Sequence, residues 1–187
     1  MKNIFFYFTL MFFVALCASP LHAVSYDDDV LEIFSKIVPR LVLMSSAKNT
    51  LKDKIELCVV YEPVDERKAA FLGEKISASY PAGIKDYKIR LVPTAYGSFD
   101  ACRNSQLMFL FNTNESHLQK ALSFAENNAI MTISYDPKYL EKGVGLSLFL
   151  GRKVTPYINV MAFKKSGIAL ENTLLHISKI YSGEDDR

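Results

Sequence analysis

Histidine and cysteine are scarce in this sequence of 187 residues, which contains three of each. One of each lies within the first 23 residues, which leaves His117, His176, Cys58 and Cys102 in the rest of the chain. Structural zinc sites cluster cysteine and histidine ligands, and neither of these histidines is close to a cysteine in sequence. We therefore expect no metal site, and no motif indicates another cofactor.

The chain also lacks a clear excess of charge of either sign. It has 22 basic and 20 acidic residues, and removal of residues 1–23 would leave 21 and 20, because Lys2 is the only charge removed. Proteins that bind nucleic acid or an anionic membrane surface usually present a net positive field. Near neutrality argues against both, so we expect no nucleic-acid partner.

Recognisable catalytic motifs are missing as well. Ser134, Asp136 and His176 are the residue types of a hydrolase triad, but no serine lies in the glycine pattern of a nucleophile elbow. The carboxylates of Tyr61–Glu66, "YEPVDE", are interpreted as an exposed loop and a helix cap. The two remaining cysteines have no basic neighbour of the kind that activates a thiolate, apart from Arg103. We expect a protein that is not an enzyme.

The N-terminus has the pattern of a signal peptide. Lys2 precedes an apolar run from Ile4 to Cys17, and "ASPLHA" follows with Ala23 as a small residue at the cleavage position. A transmembrane helix needs about 20 apolar residues, more than this run supplies, although an uncleaved anchor is the alternative. Lipoprotein processing at Cys17 is disfavoured by the bulky Leu16. We expect export, cleavage after Ala23, and one domain over residues 24–187.

Cys58 and Cys102 are an even pair in a chain that we expect to be exported, which favours a disulfide. The closed loop of 44 residues would stabilise the fold by about 4 kcal/mol on the chain-entropy estimate. Two buried free thiols are the alternative, since "ELCVV" has the composition of a buried strand.

Strands and helices alternate through most of the chain. Asp27 to Asp29 are interpreted as a helix cap with favourable first-turn charges rather than a calcium site, and Pro39 is expected to kink or end that helix. Apolar runs predict strands at "KIELCVVYEP", "DYKIRLVP", "QLMFLFN" and "AIMTISY", with helices at "DERKAAFLGEKISASY" and "ESHLQKALSFAENN" between them. This alternation indicates β-α-β units and a parallel sheet.

The pattern changes after Gly143. Two apolar runs separated by "GRK" predict a hairpin, and "YINVMAFKKSGIALENTLLHISKI" then predicts a strand end, a short helix, a glycine stop and a final helix. The predicted fold class is α/β: a three-layer sheet with helices on both faces, mostly parallel, with a C-terminal antiparallel hairpin at its edge. Only the tail "SGEDDR", about the last five residues, is expected to be disordered.

The stretch Ala129 to Ile180 resembles the YfiR family of exported proteins, also described as DUF4154. It has the family's run of strand, short helix, hairpin, strand ending in "IN", small helix, glycine and leucine-rich final helix. "IELCVVYE" and "ACRNSQLMFLF" are similar to its first strand and its cysteine-led strand. The family usually has a Trp-Pro pair after the first helix, whereas this chain contains no tryptophan. The recurrent positions matched are Gly143, Ile158, Asn159, Ser166, Gly167, Leu174 and Leu175.

The resemblance implies a periplasmic regulator that represses a membrane-bound diguanylate cyclase through its periplasmic sensor domain, and so affects cyclic di-GMP and biofilm formation. An OmpA-like lipoprotein would relieve the repression, and the target could instead be a sensor kinase. The sequence does not decide whether the chain forms a homodimer. The residues that we expect to contact a partner are Asn159, Lys164, Lys165, Leu170 and Leu174.

Each of these residues also has a purely structural interpretation. Asn159 fits a helix N-cap, the two lysines fit solvated charges, and the leucines fit core positions. The alternative function is a small-ligand-binding periplasmic sensor domain that feeds a histidine kinase or a transporter. A cleft lined by Tyr80, Tyr87, Tyr96 or Tyr135 would favour that alternative. An exposed apolar patch near the final helices would favour the regulator.

Overall fold

One mixed sheet of seven strands organises residues 26–181, the part of the chain described in a computed structural model of the protein. The expected signal peptide and the expected disordered tail lie outside these residues. The strand order across the sheet is β2-β1-β3-β4-β5-β6-β7. The strands are β1 (Lys54–Tyr61), β2 (Lys88–Ala95), β3 (Leu107–Leu110), β4 (Met131–Ser134), β5 (Leu146–Leu150), β6 (Val154–Ile158) and β7 (Lys179–Ile180).

Strand direction agrees with the predicted fold class. β1 runs parallel to both β2 and β3, and the parallel pairing continues through β4 to β5. β5 and β6 form the antiparallel hairpin, with Leu150 opposite Val154. The order of the first five strands is a doubly wound order with its switch point between β1 and β3.

The five α-helices of the described residues cover both faces of this sheet. β1 shows why both faces need cover, because Ile55, Leu57 and Val59 belong to the core that contains α1 and α2, whereas Cys58 and Val60 belong to the core that contains α3. All five side chains are buried. A parallel strand buried on both faces is therefore mostly apolar, and in "KIELCVVY" the charged residues are confined to its amino end, at Lys54 and the ion-paired Glu56. The helices are α1 (Asp28–Leu43), α2 (Glu66–Ser79), α3 (Glu115–Asn127), α4 (Val160–Lys165) and α5 (Asn172–Ile177).

The start of α1 confirms the capping interpretation of the acidic cluster. The Asp27 side chain accepts hydrogen bonds from the N–H groups of Asp29 and Val30, at 2.8 and 3.4 Å. Asp28 and Asp29 occupy the first turn, where negative charge is favoured by the helix dipole.

α1 does not end at Pro39, where the sequence predicts a kink or an end. The helix continues to Leu43, and the residues beyond the proline include the buried Leu41 and Val42. Proline inside a helix costs about 3 kcal/mol, whereas burial of each large apolar side chain gains about 1.5–3 kcal/mol. Burial of both side chains in the core therefore outweighs the unfavourable proline.

The C-terminus departs from the prediction in one element. The final helix stops at Ile177, and Lys179 and Ile180 pair as β7 with Tyr157 and Ile158 of β6. An unpaired β6 would leave a row of backbone groups without partners at the sheet edge, so a short strand there is favourable. Within residues 26–181, no helix combines the length and apolarity required to cross a bilayer.

Candidate functional site

The C-terminal segment is built around Asn159, at the point where β6 ends. Its Oδ1 accepts a hydrogen bond from the N–H of Ala162 at 3.2 Å, and its Nδ2 donates to the carbonyl of Leu140 at 2.9 Å. The amide thus caps α4 and fixes it to the chain that precedes β5. Gly167, with φ at +67°, ends α4 in a conformation that favours glycine.

The residues between α4 and α5 are tied to the end of α1. The N–H of Ser46 donates to the carbonyl of Ala169 at 2.8 Å, and the N–H of Ala169 donates to the Ser46 hydroxyl at 3.0 Å. Glu171 donates its N–H to the carbonyl of Met44 at 2.9 Å, and its carboxylate pairs with Lys48. These contacts hold α4 and α5 in fixed positions relative to the sheet.

The structure places the five expected contact residues in different environments. Lys164 and Lys165 are exposed in the last turn of α4, whereas Leu170 is half-buried in an isolated bridge with Ser45. Leu174 is completely buried, and Asn159 uses both ends of its amide internally. The two lysines therefore remain candidates for a partner surface, while Leu174 belongs to the core.

Exposed apolar side chains lie beside this segment, at the edge of the sheet. Leu150 and Val154 face each other across the hairpin, and Phe149 stacks on Tyr157 with ring centroids 5.5 Å apart. We call the group the edge surface, and its members are between 37 and 53% exposed. The edge surface consists of Phe149, Leu150, Val154, Leu175, Ile177 and Ile180.

The stretch that contains the edge surface is basic, although the whole chain is nearly neutral. Residues 144–181 contain one acidic residue, Glu171, which is already paired with Lys48. The same stretch carries five basic residues, Arg152, Lys153, Lys164, Lys165 and Lys179. Apolar side chains on a basic stretch complement an apolar patch that has acidic neighbours.

A second group of polar side chains occupies the carboxyl ends of β1 and β3, where doubly wound proteins usually bind ligands. Here Tyr26 fills that position. Its hydroxyl accepts from the N–H of Asn112 at 2.8 Å and donates to the carboxylate of Asp65 at 3.3 Å. Burial raises the pKa values of Tyr26 and of Asp65.

The interpretation of "YEPVDE" as an exposed loop and helix cap is wrong in two respects. Asp65 is buried and its side chain makes no cap hydrogen bond to α2. Glu62 also turns inward, since one of its carboxylate oxygens contacts Nδ1 of His117 at 2.7 Å and the hydroxyl of Thr113. Sequence reasoning missed this group because its members are far apart in the chain.

The triad residue types are not assembled into a catalytic group. Ser134 is fully buried, and its hydroxyl donates to the backbone carbonyl of Asp136 at 2.8 Å. The Asp136 carboxylate accepts from the N–H of Lys138 at 3.0 Å. His176 is exposed on α5. Each of the three side chains therefore has a local role or faces solvent.

Cys58 and Cys102 form a disulfide, with their Cα atoms 5.4 Å apart. Both residues are completely buried. The bond joins β1 to the loop that leads into β3, so it fixes that loop, including Arg103, to the centre of the sheet.

Cavities open on the described surface, and two of them have polar side chains in their walls. The smaller, about 140 Å³, lies between α3 and α4 and is lined by Asn159 and Lys165. The larger, about 550 Å³, lies at the amino ends of β1 to β4. Neither is lined by the four tyrosines that would have favoured the ligand-sensor alternative. In residues 26–181, no group of three or more histidine, cysteine or acidic side chains is arranged to hold a metal ion.

Comparison with solved structures supports the fold assignment. A conserved domain protein from Vibrio cholerae aligns with a TM-score of 0.59 at 15% identity, over 80% of this chain and 59% of that one. The ABC domain from Streptococcus pneumonia in complex with L-Trp aligns with a TM-score of 0.54 at 10% identity, over 79% of this chain and 60% of that one. The chain thus spans about three fifths of each. At these identities the likeness concerns the fold alone.

Sequence comparison identifies the family. No curated protein is significantly similar to the chain. Residues 42–179, however, match the YfiR/HmsC-like family, also called DUF4154. The match extends from the end of α1 to β7 and covers well over half of the sequence, including the disulfide, the hairpin and both C-terminal helices. The chain therefore belongs to the YfiR/HmsC-like family.

Proposed function

We propose that the chain is an exported regulator that binds the periplasmic domain of a membrane-bound diguanylate cyclase and holds the enzyme inactive. Membership of the YfiR/HmsC-like family supports a periplasmic regulator. The buried Cys58–Cys102 disulfide is consistent with an oxidising compartment. The cyclase target and the repressive effect go beyond these observations. They rest on the resemblance of Ala129 to Ile180 to the YfiR family.

The edge surface is the observation that carries the proposal. Six large apolar side chains stay exposed around the hairpin, α5 and β7, and they lie on both faces of the hairpin because Phe149 and Leu150 are consecutive in β5. Exposed apolar clusters of this kind mark binding surfaces for proteins. Lys164 and Lys165 are exposed on α4, which directly follows β6, and would face acidic residues of the partner.

The mechanism requires no catalytic step by this chain. A regulator that binds only the inactive state of a cyclase shifts the enzyme toward that state by its differential affinity. A competing OmpA-like lipoprotein that sequesters the regulator would remove the bias and raise cyclic di-GMP. The attachment of α4 and α5 to the end of α1 keeps the α5 side chains of the edge surface in one arrangement, which lowers the entropy lost on binding.

Capture from membranes tests the proposal. The exported chain, immobilised, is incubated with solubilised inner membranes, and cyclic di-GMP is measured in a strain that lacks the gene. We expect capture of a membrane protein with a cyclase domain and a rise of cyclic di-GMP on deletion. Absence of such a protein together with unchanged cyclic di-GMP would contradict the proposal.

Substitution on the edge surface locates the contact. Ile177→Asp places a charge on an exposed apolar position and should reduce capture at least tenfold with little change in stability. Val64→Asp is the matched control, because Val64 is exposed but follows β1, away from the sheet edge. Equal capture by both variants would exclude the edge surface as the contact. Loss of self-association instead would assign the edge surface to a homodimer.

A further inference from the structure

The larger cavity has the size of a small-molecule site, and it lies at the amino ends of the strands rather than at the usual carboxyl ends. Its volume of about 550 Å³ is within the range of roughly 300–1,000 Å³ that is typical of ligand pockets. Its walls come from the amino ends of β1 and β2, the loop before β3, and the residues between α3 and β4. It lies at the opposite end of the strands from Tyr26, and no residue of the edge surface lines it.

The charges that line this cavity are unbalanced. Two carboxylates, Asp53 and Glu56, face four basic side chains, Lys52, Lys54, Arg90 and Arg103. Glu56 is 4% exposed, and one of its oxygens accepts a hydrogen bond from Arg90 at 3.2 Å and forms an ion pair with Lys54 at 3.2 Å. The single negative charge of Glu56 is therefore paired with two positive charges. The excess of positive charge attracts an anion into the cavity.

Arg103 supplies a second guanidinium from the loop before β3. One of its nitrogens pairs with Asp100 at 3.0 Å, and its other donors are not engaged by this carboxylate. Because Cys102 precedes it, the disulfide holds this wall of the cavity against β1. Guanidinium groups bind carboxylates and phosphates through paired hydrogen bonds.

Ser105 provides an independent indication of a ligand. It lines the cavity and is 5% exposed, yet its hydroxyl oxygen has no hydrogen-bond partner among the described residues. Buried polar groups are almost always satisfied. An unsatisfied hydroxyl in a cavity rich in arginine and lysine is what a bound polar molecule would complete.

We propose that this cavity binds a small organic anion, either a carboxylate or a phosphate ester, with Arg90 and Arg103 on its charged group and the Ser105 hydroxyl on a polar atom. This role goes beyond the proposed regulation, since it assigns the domain a ligand input at a surface separate from the edge surface. The guanidinium groups of Arg90 and Arg103 bind a carboxylate and a phosphate by the same kind of hydrogen bond.

Titration of the purified exported chain with inorganic phosphate and with succinate, each at constant ionic strength, tests the site. We expect saturable binding of at least one anion by calorimetry and a matching rise of the thermal midpoint. Phosphate binding alone assigns a phosphate ester, and succinate binding alone assigns a carboxylate. Absence of saturable binding of either anion overturns the proposal.

Variants separate the cavity from general charge effects. Arg90→Gln and Arg103→Gln should each weaken binding about tenfold, the loss expected for one charge-assisted hydrogen bond. Lys153→Gln removes the same charge in the exposed hairpin turn and should leave affinity unchanged. Both arginines are exposed, but Arg90 pairs with the buried Glu56, so Arg103→Gln keeps the test valid if Arg90→Gln fails to fold. An equal loss in Lys153→Gln overturns the assignment.

Ser105→Ala distinguishes a ligand contact from a packing defect. Removal of an unsatisfied hydroxyl should raise the thermal midpoint without anion, while affinity for the anion falls several-fold. Unchanged affinity would contradict the role given to Ser105. Capture of the membrane partner by Arg103→Gln is measured in parallel, so failure of anion binding and failure of the regulator proposal remain distinguishable.

Discussion

Ala129 lies two residues after the end of α3, in the left-handed region of backbone conformation, with φ at +51°. The N–H of Ile130 donates to the carbonyl of Ala125 at 2.9 Å, and the N–H of Ala129 donates to the carbonyl of Glu126 at 3.3 Å. This is the hydrogen-bond pattern of a helix end at which glycine is preferred. The left-handed conformation costs a residue with a Cβ about 1–2 kcal/mol.

We expect Ala129→Gly to raise the free energy of unfolding by about 1 kcal/mol, because glycine adopts this conformation without the Cβ clash. Unfolding in urea measures the change. Ala101→Gly is the control, since Ala101 is exposed and has no positive φ, so added flexibility of the unfolded chain should leave that variant unchanged or less stable. An equal effect of both substitutions would contradict the explanation.

The disulfide gives the second prediction for single residues. Replacement of Cys58 and Cys102 together by alanine should lower the free energy of unfolding by about 4 kcal/mol, because the bond closes a loop of 44 residues. Urea unfolding without reductant measures it. A reducing agent should destabilise the native protein by a similar amount and leave the double variant unaffected. No effect of reductant on the native protein would show that the bond does not contribute.

At the scale of elements, α1 and α2 are joined by Glu32. Its carboxylate accepts hydrogen bonds from Lys36 of α1 at 2.7 Å and from Lys75 of α2 at 3.0 Å. These two lysines, Lys36 first, lower the pKa of Glu32 from 4.5 to about 2. A carboxyl group with a lowered pKa stabilises the folded state above its unfolded value and loses that contribution as pH falls toward its folded value.

Glu32→Gln should therefore lower the thermal midpoint at pH 6, and the difference from the native protein should shrink as pH falls from 4.5 toward 2. The effect should be small and should decrease in high salt, because Glu32 and its two lysine partners are exposed to solvent. Thermal melts across this pH range measure it. Glu74→Gln, at an exposed position of α2, is the control. A difference that grows at low pH would contradict the assigned cause.

The elements were predictable where one local signal decided them. β1 is apolar from Leu57 to Val60, α2 and α3 follow helical spacing, and Asp27 caps α1 as the sequence indicates. Sequence patterns did not indicate two features that a distant contact decided. Pro39 stays within α1 because residues beyond it pack in the core, and β7 forms because β6 offers an open edge. Neither contact can be read from neighbours in sequence.

At the scale of the whole molecule, the sheet carries three distinct regions. Its carboxyl end between β1 and β3 is filled by Tyr26, its far edge carries the edge surface, and its amino end holds the basic cavity. The usual ligand position of a doubly wound sheet is thus occupied by the chain itself.

This separation predicts that the two proposed activities can be removed independently. Ile177→Asp should lose capture of the membrane partner and keep its affinity for phosphate or succinate. Arg103→Gln should show the reverse, because the edge surface contributes no residue to the cavity. Capture assays and titrations on both variants measure this. Joint loss of both activities in a variant of native stability would contradict two separate sites.

The sequence by itself determined the alternation of strands and helices, the hairpin, the cap at Asn159 and the resemblance to the family, because each follows from spacing or from a short motif. It also indicated the pairing of Cys58 with Cys102 as one of two alternatives. Only the tertiary structure decided which leucines are buried and which apolar side chains remain exposed. The basic cavity and the inward position of Asp65 likewise depend on side chains that are distant in sequence and meet only when the sheet is assembled.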